Sequence, residues 1–162
     1  MIWIVQGIRD FGLSFVVAVG FAVLFSTPKR ALLMAGMLGG IGHSLRFFLH
    51  GSFGVPLVPA TLAGALVIGF AGIYGAHRTH TPPVVFTMPA CITMIPGLYG
   101  YRTMLGCIKL TEPDFSKLEP GHLLETVHAF VMTSSLLFTL AIGICSGALF
   151  FRKKSAKHLF RR

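Results

Sequence analysis

Five long runs of apolar residues divide the chain, and each is close to the length of a membrane-spanning helix. They lie at residues 11–25, 31–49, 60–76, 84–108 and 123–151. An α-helix needs about 20 mostly apolar residues to cross the hydrocarbon core of a bilayer. The pattern therefore predicts an all-α integral membrane protein with about five transmembrane helices, forming a single membrane domain over residues 1–162.

The fourth run carries Pro96-Gly97 in its middle, and we predict that its helix is broken there. Proline removes a backbone donor and clashes with the preceding turn, and glycine permits dihedral angles that no helix uses. Backbone groups freed at membrane depth are tolerated only inside protein or beside a water-filled cavity. The break, followed by Tyr99, Tyr101 and Arg102, either lines a site or is a proline kink in a packed helix.

Small residues recur at helical spacing in the first and third runs, which predicts close helix packing there. They are Ser14, Ala18 and Ala22 in the first run and Ala65, Gly69, Gly72 and Ala76 in the third. The second run has glycines at one end and His43 and Arg46 at the other. It fits two models, a span or an interfacial helix whose Arg46 reaches the headgroups, and its low charge favours the span.

The distribution of charge predicts the orientation of the helices in the membrane. The chain has a formal net charge of +9, and residues 152–162 form a basic tail after the last run. Positive residues collect on the cytoplasmic side of bacterial membrane proteins, so we expect the tail inside and, with five spans, the N-terminus outside. A share of 54% hydrophobic residues leaves little solvated basic surface, which argues against nucleic-acid binding.

The cysteines and histidines suggest no cofactor and no metal site. Cys91, Cys107 and Cys145 lie within apolar runs without CxxC spacing, so we interpret them as small buried hydrophobic residues. His77 and His80 have a weak metal-ligand spacing, but no carboxylate lies near them in the sequence.

Two stretches together resemble a known family. Val19–Arg46 (VGFAVLFSTPKRALLMAGMLGGIGHSLR) and Pro82–Met104 (PPVVFTMPACITMIPGLYGYRTM) are similar to the small subunit of the threonine/serine exporter family, in its two-subunit, YjjB-like form. The resemblance extends from about Phe11 to Phe151. It implies an exporter in the bacterial plasma (inner) membrane that needs a larger membrane subunit as its partner. Its implied substrate is a small carboxylate, either a succinate-like dicarboxylate or threonine and serine.

Ionisable side chains within spans are costly, so each is a candidate for function. Arginine binds carboxylates through two parallel hydrogen bonds, which makes Arg102 and Arg46 candidates for substrate binding. The break at Pro96-Gly97 would turn a half-helix N-terminus toward the substrate, and Tyr99 and Tyr101 could add hydroxyl donors. Histidine titrates near neutral pH, so the proton-coupling candidates are His43, His128 and Glu125.

Each candidate also has a simpler structural explanation. Arg46 and Arg102 could extend to opposite membrane interfaces. His128 could pair with Glu125 one helical turn away, and His43 could bond a neighbouring backbone.

Three classes of function remain for comparison. The leading one is a secondary exporter subunit, and a non-transporting assembly subunit is the alternative. An intramembrane enzyme is disfavoured because GxSxG, HExxH and paired intramembrane acids do not occur in the sequence.

Overall fold

All regular secondary structure is helical in the computed structural model, which describes residues 2–79, 81–111 and 121–159, with side chains for 5–78, 81–111 and 121–150. The helices are α1 (Ile2–Leu24), α2 (Lys29–Ser52), α3 (Leu57–Thr79), α4 (Val84–Ile92), α5 (Gly97–Leu110) and α6 (His122–Leu159). Within the described ranges, α1, α2, α3 and α6 are long and apolar enough to cross a membrane. The bent pair α4 and α5 makes a fifth span if it is counted as one. The predicted fold class is therefore confirmed.

The break in the fourth run lies where the sequence predicts it. α4 ends at Ile92 and α5 begins at Gly97, immediately after Pro96. Pro96 has φ −78° and ψ 67°, which is not a helical conformation. α4 has nine residues and α5 has fourteen, so neither reaches the length of a span by itself.

Helices extend beyond the apolar runs at several ends, and α6 continues to Leu159, into the predicted basic tail. α1 begins at Ile2, so Arg9 and Asp10 lie inside a helix and not in a flanking segment. α3 continues to Thr79, because His77 and Arg78 suit the last turn of a helix, where cations face the negative end of the dipole.

The described residues fall into two compact units. One lies within Met1–Met94 and Thr139–Arg162, and the other within Ile95–Phe138. The single domain over residues 1–162 stays a prediction.

In the first unit α2 is the central helix and packs against α1, α3 and α4. An interfacial helix would contact protein on one face only, so this packing favours the interpretation of α2 as a span. Ala18 and Ala22 of α1 are fully buried, and a Cβ atom built on Gly39 of α2 would lie 2.6 Å from the Cβ of Ala18. The close approach predicted for the small residues of α1 is confirmed.

Glycines also bring α3 against the C-terminal part of α6. A Cβ atom on Gly147 would lie 2.6 Å from the carbonyl oxygen of Gly69, and one on Gly69 would lie 2.8 Å from that of Gly143. These helices meet backbone to backbone, as small-residue stripes allow in membranes.

In the second unit α5 packs against the first part of α6. A Cβ atom on Gly106 would collide with the side chain of Thr126, so the absence of a side chain at Gly106 sets the distance between the two helices. Thr126 is itself buried and donates its hydroxyl to the carbonyl of His122 at 2.8 Å.

Candidate functional site

The first group of candidate residues is a hydrogen-bonded series that we call the Asp10–Arg46 network. Asp10 Oδ2 lies 2.7 Å from Nδ1 of His43. His43 Nε2 lies 2.9 Å from Nη2 of Arg46, and Nη1 of Arg46 donates to the carbonyl of Met94 at 2.8 Å. The network thus runs from α1 through α2 to the end of α4.

Helix geometry explains how this network forms. His43 and Arg46 are three residues apart on α2, so their side chains are neighbours on one face. α1 packs on that face through Phe11, whose ring would meet a Cβ atom on Gly40 at 2.7 Å, and the adjacent Asp10 therefore faces His43. The side chains of His43 and Asp10 are only 19% and 25% exposed.

Met94 supplies the last acceptor because it lies at the break. Met94 is fully buried. It follows the C-cap of α4 and precedes the first residue of α5. A carbonyl at a helix end has no intrahelical donor and must be satisfied otherwise. Arg46 does so, and in this way it ties α2 to the broken segment.

The second group lines a cavity of about 190 Å³ in the second unit, which we call the Arg102 cavity. It is a partly open space between α5 and the first turns of α6. Its lining residues are Arg102, Leu105, Gly106, Lys109, His122, Glu125 and Thr126. Two cations, one carboxylate and one imidazole thus face a space of small-molecule size, a composition suited to an anionic or zwitterionic ligand.

Helix period and close packing produce this arrangement. Arg102 and Lys109 are seven residues apart, which places them two turns apart on the same face of α5. Gly106 lies between them and allows α6 to approach, so that Glu125 and Thr126 complete the wall.

The remaining predicted residues surround these groups. The ring of Tyr99 contacts His128 edge-on, with centroids 6.5 Å apart. Tyr101 is 62% exposed. Pro96 is the N-cap of α5 and Gly97 is its first residue, with open space where a side chain would be.

The structure therefore groups the sequence candidates in two places. His43 and Arg46 lie in the Asp10–Arg46 network, whereas Arg102 and Glu125 lie in the Arg102 cavity. His128 contacts Tyr99.

Three ionisable residues of these groups did not emerge from the sequence. They are Asp10, Lys109 and His122. Lys109 had a usable signal, its seven-residue spacing from Arg102, whereas Asp10 looked like a flanking charge balanced by Arg9.

Comparison with known proteins identifies the family to which the chain is similar. The family model described as "Threonine/Serine exporter, ThrE" matches residues 10–149. An "Uncharacterized protein" from Haemophilus influenzae is 34% identical over 94% of this chain, which spans about half of that relative's length, 53%. No solved structure matches the chain. The family match includes both groups of candidate residues, and the chain belongs to the threonine/serine exporter family.

Proposed function

We propose that this chain is one subunit of a secondary exporter that moves a small carboxylate metabolite out of a bacterial cell. The observation that carries the proposal is the family match over residues 10–149. The substrate is a succinate-like dicarboxylate or threonine and serine, and the protein lies in the inner membrane with its C-terminus in the cytoplasm.

The Arg102 cavity is the proposed substrate site. Arg102 lies five residues after Gly97 and so remains near the positive end of the α5 dipole, which favours an anion. Its guanidinium can bind a carboxylate with two parallel hydrogen bonds. Lys109 adds a second cation for a dicarboxylate, and Glu125 an acceptor for the ammonium group of an amino acid.

Other candidates have supporting roles in this proposal. Pro96 and Gly97 interrupt the helix and create the free end of α5, and Tyr99 and Tyr101 follow within its first two turns. His128 and Glu125 are proposed to carry coupled protons together with His43.

Efflux measured in cells tests the proposed site. Cells lacking the chain are complemented with wild type, Arg102→Gln or Arg102→Lys, and release of succinate and threonine is followed at equal protein level. Losing a charge-assisted contact to a carboxylate costs about 1.5–3 kcal/mol, so Arg102→Gln is expected to weaken apparent affinity roughly ten- to a hundredfold. Arg102→Lys should restore little, because an ammonium cannot reproduce the planar fork.

Arg30→Gln is the matched control, since it removes an exposed arginine from the first turn of α2. It should leave efflux unchanged. Near-normal efflux by Arg102→Lys would mean that Arg102 extends to the membrane interface and does not bind the substrate through its planar fork. Unchanged release of both metabolites from cells without the chain would reject the exporter itself.

A larger membrane subunit is the proposed partner. This chain spans 53% of its Haemophilus relative, so nearly half of that protein has no counterpart here. Transporters commonly form their sites between two related halves, which supports a second component. We expect vesicles containing this chain alone not to transport succinate or threonine, and uptake or release by such vesicles would contradict the two-subunit arrangement.

A further inference from the structure

We infer that the Asp10–Arg46 network is a proton-operated positioning device for the helix break, in which protonation of His43 releases Arg46 from the α4–α5 junction. Only its connection to transport rests on the proposed function. The network itself stands on three hydrogen bonds of 2.7, 2.9 and 2.8 Å.

The three bonds together fix the proton on His43. Arginine has donors and no acceptor, so Nη2 of Arg46 must donate and Nε2 of His43 must accept. The single proton of a neutral imidazole is then on Nδ1, which donates to the carboxylate of Asp10. A neutral ring thus bridges a carboxylate and a guanidinium whose charges cancel.

A second proton on the ring is incompatible with this arrangement. Protonated Nε2 would direct an N–H group at an N–H group of Arg46, and a contact between two donors at 2.9 Å is repulsive. The imidazolium would keep its bond to Asp10, which then joins two opposite charges. Arg46 must then turn away from His43, and its other bond, to the carbonyl of Met94, changes with it.

Movement of Arg46 affects the helix break because its acceptor, the carbonyl of Met94, lies at the break. This carbonyl belongs to the segment between Thr93 and Pro96, where neither α4 nor α5 supplies a helical ladder. Arg46 joins this segment to the central helix of the unit. Release of Arg46 therefore frees the junction at which the fourth span is broken.

Few other ionisable groups surround His43 within the first unit's described residues. α1 contributes Asp10 beside an exposed Arg9, α2 contributes Arg46, and α4 contributes the thiol of Cys91, which is bonded to the carbonyl of Met88.

On α3 the ionisable side chains of Tyr74, His77 and Arg78 lie in the last turns. Gly75 faces Met34 there, more than two turns from His43 along α2. Of the side chains in this cluster, the imidazole is the one whose ordinary titration range lies nearest neutral pH.

The test uses the complete chain in vesicles of phosphatidylethanolamine and phosphatidylglycerol, and it needs no transport. A nitroxide is attached to Ile95→Cys, a half-exposed position beside Met94, after the three native cysteines are replaced by serine. Spectra between pH 8 and 5.5 report the ratio of mobile to immobile label. Loss of one hydrogen bond corresponds to about a fivefold change in that ratio.

His43→Gln is the decisive variant, because a glutamine amide can donate to Asp10 and accept from Arg46 but cannot be protonated. It should keep the high-pH spectrum at every pH, whereas His50→Gln on the same helix should respond as wild type does. Asp10→Asn removes the charge that stabilises the imidazolium and should move the transition to lower pH.

The spectra test the network, and efflux tests its connection to export. A wild-type spectrum that does not change with pH would overturn the inference, as would a full response in His43→Gln. A pH response in the wild type, together with unchanged efflux in His43→Gln, would leave the device intact and separate it from export. Unchanged metabolite release from cells without the chain, together with the expected spectra, would count against the proposed function alone.

Discussion

The contact between Gly69 and Gly147 gives a prediction whose size follows from the structure. A Cβ atom on Gly147 would lie 2.6 Å from the carbonyl oxygen and 2.7 Å from the carbonyl carbon of Gly69. Ordinary contact begins near 3.4 Å, so Gly147→Ala forces α3 and α6 apart by about 0.8 Å. The obstacle is backbone, which cannot turn aside as a side chain can.

Overpacking of this kind costs about 1–3 kcal/mol, whereas alanine gains about 0.5–1 kcal/mol over glycine inside a helix. We therefore expect Gly147→Ala to lower the free energy of unfolding by about 1–2 kcal/mol. Gly20→Ala on α1 is the matched control, because nothing lies within 4 Å of its Cβ position. It should leave stability unchanged or raise it.

The measurement is a denaturant titration in mixed micelles followed by circular dichroism, with both variants compared to wild type. The two substitutions are chemically identical and both lie within helices, so a difference between them isolates the helix contact. Equal stability of Gly147→Ala and Gly20→Ala would refute the reasoning, because it would mean that α3 and α6 do not meet at these glycines.

Two further predictions concern topology and the cavity. If α2 crosses the membrane, cysteines placed at Thr27 and Ser52 in a cysteine-free chain should react with an impermeant reagent from opposite sides, and reaction from the same side would mean that α2 lies at the surface. Gly106→Ala should push Thr126 and with it α6 away from α5, distort the Arg102 cavity and reduce efflux. Thr126→Ala should partly restore it in the double variant, and the absence of any rescue would place the defect elsewhere.

Much of the fold could be predicted from the sequence because it depends on local pattern. Run length and apolar content predict the spans, and the chemistry of Pro96 predicts the break. The small residues of α1 predict its packing face, since a four-residue spacing returns to the same side of a helix.

The candidate site was harder to predict from the sequence, because it depends on contacts between residues that are far apart in the chain. Asp10 meets His43 across 33 residues, through the register of α1 against α2. The sequence suggested that the guanidinium of Arg46 could bind a substrate carboxylate. In the structure two of its nitrogens already have partners. One partner is a backbone carbonyl that is available only because the helix is broken there. His122 enters the cavity through the register of α6 against α5, which Gly106 and Thr126 set.

The close contacts at glycines also constrain how this sequence can change over evolutionary time. Gly36 and Gly40 face the rings of Phe15 and Phe11, so a larger residue there could be accepted together with a smaller partner on α1. Gly147 faces the backbone of Gly69, and Gly69 faces the backbone of Gly143 and Ile144, so no second substitution can make room. Homologous sequences should therefore show paired exchange at the first two positions and near invariance at the last two.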